Sequence, residues 1–144
     1  MSFRRILLHL ALWSGVFAFW LLVTRSHHPT WIVAASVTAV LVTAFALAVY
    51  VNSLLLWPEF ARRRLWLRYL LSLLPLVAVL DLAAVLLIQL VYDWLGVPRA
   101  GRYSFWFNMA SDGAGIIMHV VAALGVVWIA RYLRRGTPPQ SVEG

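Results

Sequence analysis

Tyr50–Leu70, YVNSLLLWPEFARRRLWLRYL, decides how the rest of the chain is read. It joins two long apolar runs near the middle of 144 residues. It carries four of the twelve arginines, Arg62, Arg63, Arg64 and Arg68, beside Trp57, Pro58 and Trp66. Such a charge run between apolar stretches is a turn at a membrane face, and it sets the orientation of everything around it.

The composition says what the solvent is. Hydrophobic residues make up 63% of the chain and charged residues 12%, against ~45–50% and ~25% in soluble domains. A soluble domain of this size could not bury so much apolar surface, so the solvent is lipid and the chain reads as one membrane domain. The net charge is +7, and every basic residue is arginine, as a GC-rich genome would encode. In a soluble protein this would point to nucleic acid. Here the arginines lie at the ends of apolar runs, where they meet anionic headgroups, and nucleic acid is not expected as a partner. With no cysteine, disulfide and thiolate chemistry are excluded.

Four stretches have the ~20 apolar residues a spanning helix needs: about 6–23, 31–56, 70–91 and 113–130. The first follows Arg4 and Arg5, like a secretory signal. It is longer than an apolar signal core, and no A-x-A-like cleavage site follows, so it is read as a retained span. Alternate connections then place nine arginines on one side and three on the other. By the positive-inside rule both termini and the Tyr50–Leu70 turn face the cytoplasm. The expected architecture is an all-α four-helix transmembrane bundle, N-in/C-in, over residues 1–135 of a bacterial inner membrane protein, with a disordered cytoplasmic tail at 136–144. The tyrosines and most tryptophans lie at predicted span ends, as headgroup-level rings do. The loop from Tyr92 to Asp112 is the longest, and its Tyr103–Phe107 run is expected to lie against the membrane surface.

Two intramembrane residues stand out. Asp81 lies about twelve residues into the third span, where a charged carboxylate costs at least ~2.5–3.5 kcal/mol. His119 lies at a similar depth in the fourth. Depth alone predicts a direct Asp81–His119 hydrogen bond, as a helix-joining contact or as a proton or ligand site. Gly115, Ala123 and Asp112 share a face with His119, and Ala35, Ala39 and Thr43 form a small stripe on the second span. Both read as packing surfaces. A haem between two histidines needs a second imidazole at the level of His119, and His9, His27 and His28 are elsewhere. Adjacent His27 and His28 supply too few ligands for a metal. No metal or cofactor is expected. In the basic turn, Pro58 should end the second span, and Glu59 should pair with Arg62 or Arg63. Pro75 is expected to kink the third span. Phosphate loops, nucleophile elbows and HExxH are absent from the sequence, so an enzyme is not expected.

At Tyr50–Leu74 the chain resembles the four-span membrane module of LytS/AlgZ-type sensor histidine kinases. The residues that carry the resemblance are Asn52, Leu54, Leu55, Pro58, Phe60, Arg62, Arg63, Tyr69, Leu70 and Leu71, with Asn52, Pro58, Phe60 and Tyr69 marking the span boundaries. The Trp128–Arg135 exit is more weakly similar. In that family the fourth span leads into kinase domains, and here the sequence ends at Gly144. The resemblance implies a sensory or signal-coupling module without the kinase, acting through a separate cytoplasmic or membrane partner or left as a remnant; a homo-oligomer is a further expected partner state. Two other classes stay open: a transporter or pore-forming subunit using Asp81 and His119 as a relay, and an assembly subunit of a larger membrane complex.

Overall fold

The computed structural model describes residues 3–61, 63–98, 102 and 104–135, without the side chains of residues 61, 131, 134 and 135. Arg62, Tyr103 and the tail at 136–144 lie outside the described residues. The described chain is all-α, with four helices long and apolar enough to cross a membrane. The helices are α1 (Phe3–Thr24), α2 (Trp31–Val51), α3 (Trp66–Trp94) and α4 (Phe105–Arg135). The chain is a multi-pass membrane protein folded as a four-helix bundle.

The termini of these elements follow from local chemistry. Arg25–His27 form a short 3-10 turn, and Thr30 then caps α2, accepting a hydrogen bond from the Val33 amide. Ser104 caps α4 in the same way through the Phe107 amide. At the end of α3, Gly96 has φ 68°, a conformation glycine adopts without penalty. There the Val97 amide donates to the Tyr92 carbonyl and the Gly96 amide to that of Asp93, satisfying carbonyls the helix leaves open.

Three expectations are corrected. Pro58 does not end the second helix. Asn52–Ala61 continues it as a π-helix with Pro58 inside. An α-helical proline ring would strike the carbonyl four residues back, and the wider π turn is the conformation in which this segment carries Pro58. The fourth helix starts at Phe105 rather than near residue 113, so Phe105–Phe107 form its first turn, with all three rings exposed. Finally, Ala39 and Thr43 are exposed on α2. The stripe that packs is Ala34, Thr38, Leu41, Phe45 and Ala48. Ala39 and Thr43 border a shallow groove between α2 and α3.

The core follows from this. Helix α2 packs against α1, α3 and α4 and supplies more of the buried residues than any other helix, Phe45 among them. Helix α1 has no buried residue and rests on α2.

Candidate functional site

The predicted Asp81–His119 hydrogen bond is not formed. The Trp20 indole donates to His119 Nε2 at 3.3 Å, and His119 Nδ1 faces the Gly115 carbonyl at 2.8 Å. A nitrogen that accepts from an indole carries no proton, so the proton is on Nδ1 and both ring nitrogens are satisfied. The Phe45 ring stacks on the imidazole with centroids 4.2 Å apart and planes 16° apart. Asp81, only 5% exposed, instead meets α4 at Gly113, where an added Cβ would lie 2.9 Å from its Oδ2. Its Oδ1 has no hydrogen-bond partner. Gly113 and His119 are six residues apart, which is ~9 Å of helical rise and ~120° around the axis. The helices are therefore staggered, and equal depth within each run does not bring the two groups together.

Gly115 does pack as expected. A Cβ there would lie 3.0 Å from Phe45 Cζ. The absent side chain is what lets the Phe45 ring reach α4.

Above this level, toward the arginine-poor end, the four helices line a half-open cavity of about 300 Å³. Trp20, Phe45, Tyr92 and Phe107 give it aromatic walls. Thr24, His27, His28, Asn108, Ser111 and Asp112 give it polar ones. Ser111 Oγ donates to Asp112 Oδ1 at 3.2 Å. Asn108 is 8% exposed, and its amide Nδ2 lacks a hydrogen-bond partner. His28 Nδ1 lies 3.4 Å from the Tyr92 hydroxyl. Burial pushes the His28 imidazole below the usual histidine value, and the neighbouring His27 and Arg25 charges act the same way. Arg102 holds the rim. It pairs with Asp93 at 2.8 Å, donates to the Val97 carbonyl, and lies over the Tyr92 ring.

The arginine-rich end is built differently. Tyr69 on α3 donates its buried hydroxyl to Asn52 Oδ1 at 2.8 Å, which joins two of the expected span-boundary residues. The Trp57 ring packs edge-on against Tyr69 and Trp66. Asn52 Nδ2 and Trp57 Nε1 are buried without partners. The Phe60 carbonyl accepts from the Leu65 amide and closes the turn, and Pro58 is exposed on the π segment. Arg63, Arg64 and Arg68 are exposed, and Arg63 pairs with Glu59 at 3.3 Å. That pair is solvated and contributes ~0–1 kcal/mol.

Between the two ends, α1 is fixed by polar rungs. The Trp13 indole donates to the Tyr50 hydroxyl at 2.8 Å, and that hydroxyl faces His9 Nδ1 at 2.9 Å. Trp20 reaches His119, and the Thr24 and Thr38 hydroxyls lie 3.4 Å apart. Comparison with family models, with curated proteins and with solved structures gives no match for this chain. The class of the protein therefore rests on the fold: a four-span helical membrane protein with a polar-aromatic cavity at one end and a basic π-helical turn at the other.

Proposed function

We propose that this chain is a non-enzymatic, sensor-like membrane module. It takes up a small molecule in the cavity and passes the resulting change in helix packing to the basic turn. In this reading the membrane is the bacterial cytoplasmic membrane and the arginine-rich end faces the cytoplasm. A single continuity supports it. Phe45, at the floor of the cavity, and the π segment at Asn52–Ala61 belong to one unbroken helical run. π geometry is uncommon and is frequently found at functional positions, and a change in residues per turn there rotates the helix beyond it. The exposed Arg63, Arg64 and Arg68 then offer a partner or anionic lipid a charged surface at the end of that run. The resemblance of Tyr50–Leu74 to sensor-kinase membrane modules points the same way.

Coupling requires two packings of different free energy at the turn. The natural sequence has no cysteine, so spin labels at Arg63→Cys and Tyr132→Cys report the distance between the turn and the end of α4. Gly115→Ala displaces Phe45 and perturbs the cavity floor. The label distance should shift with that substitution and with any cavity ligand. An unchanged distribution refutes coupling. Ion or proton flux in proteoliposomes that depends on both Asp81 and His119 would favour the transporter reading instead.

A further inference from the structure

Asp112 poses a problem of charge. It lines the cavity, seven residues into α4, and the described residues offer it no ion pair. Asp81 meets α4 one residue further on, at Gly113. A carboxylate in a spanning segment calls for a positive partner or a proton. The bases on the cavity wall are His27 and His28, and burial disfavours the charged form of His28. Arg102 is already committed to Asp93.

The walls narrow the chemistry further. Three His, Cys, Asp or Glu side chains do not converge anywhere among the described residues, so a metal ion would lack a ligand set. Trp20, Tyr92 and Phe107 line the same cavity as the carboxylate, and a ring face attracts an ammonium group. Asn108, more than nine-tenths buried on the same wall, holds an amide without a protein partner. At about 300 Å³ the space is at the small end of ligand pockets, which run ~300–1,000 Å³.

We infer that the cavity binds a small organic cation, an ammonium group on an apolar or aromatic body, with Asp112 as its counter-ion. The Ser111 hydroxyl lies 3.2 Å from the carboxylate, and the Trp20 ring lines the space the ammonium would occupy. The inference rests on the proposed ligand cavity and gives its ligand a class.

The test uses the full chain in nanodiscs of zwitterionic lipid, which removes headgroup charge as a source of binding. Three probes of similar shape, 2-phenylethylammonium, 2-phenylethanol and phenylacetate, are dialysed to equilibrium against nanodiscs with and without protein. The ammonium probe should bind saturably and about ten-fold or more tightly than the alcohol, and phenylacetate should not bind. Asp112→Asn should weaken the ammonium probe by about ten-fold and Glu59→Gln, at the other end, should not. The discrimination among probes by the natural sequence needs no variant to fold. Equal binding of alcohol and ammonium, or indifference to Asp112→Asn, overturns the inference while leaving a ligand cavity in place. No saturable binding of any probe overturns it as well. The label distances between residues 63 and 132 test coupling separately from either outcome.

Discussion

Replacing Gly113 by alanine should separate two effects that usually oppose each other. Alanine is favoured over glycine in a helix interior by about 1 kcal/mol. At Gly125 an added Cβ meets nothing within 4 Å, so Gly125→Ala should show that gain alone. At Gly113 the same Cβ would lie 2.9 Å from Asp81 Oδ2 and 3.4 Å from Cγ. The carboxylate must retreat by roughly half an ångström to reach ordinary contact. Asp81 is 5% exposed, so it has little room to turn. An off-rotamer side chain costs ~0.5–1.5 kcal/mol, and spreading α3 from α4 costs ~1–3. Gly113→Ala should therefore be less stable than Gly125→Ala by about 1–3 kcal/mol. Reversible unfolding in mixed micelles measures both. The cause is tested by a double-mutant cycle. Asp81→Ala removes the clash and should restore the alanine gain, whereas isosteric Asp81→Asn should not. A coupling below ~0.3 kcal/mol between positions 81 and 113 would refute the contact.

Three more outcomes are expected. Tyr69→Phe removes the donor to Asn52 and leaves that buried side chain with no partner at all, so it should destabilise the chain by ~1–3 kcal/mol in the same micelles. Trp20→Phe keeps the ring against Phe45 but deletes the donor to His119, at a cost of about 0.6–1.7 kcal/mol; a loss above that range would assign Trp20 a larger role than the hydrogen bond. For His28, the folded value lies below the ordinary 6.5, so the unfolded chain binds the proton first. Its contribution to stability is present above 6.5 and is lost as pH falls through the folded value. Unfolding midpoints recorded down through that window should drop, and His28→Asn should flatten the dependence.

The four rods were legible because lipid makes apolar run length and arginine placement nearly sufficient. The start of α4 was not, because Phe105–Phe107 is both aromatic and apolar. The signal available was Ser104, a capping residue one position ahead. Depth placed Asp81 and His119 in the middle of their own helices, but it carries no information on stagger or azimuth. Those depend on Gly113 and Gly115, where the absence of a side chain sets how closely α4 approaches α3 and Phe45. The partner of His119 had a readable clue. His9, Trp13, Trp20 and Thr24 recur at spacings that keep one face of α1. Indole N–H groups in lipid must find acceptors, so that stripe had to be the one turned toward α2 and α4. The π geometry around Pro58 had no precedent in the sequence pattern, which marks where a proline interrupts but not how the backbone absorbs it.

Because no residue of α1 is fully buried, and only Trp13, Val16, Phe17 and Trp20 pack part-buried against the core, its attachment leans on a few directional bonds. In hydrocarbon an unmet indole or imidazole has no water to fall back on, so these bonds act as a latch with a defined register. The other three helices can then associate first and leave α1 to dock last on a finished surface. A chain nicked between His28 and Thr30 should for that reason still co-purify as two fragments, and their separation in mild detergent would show that the latch alone does not hold.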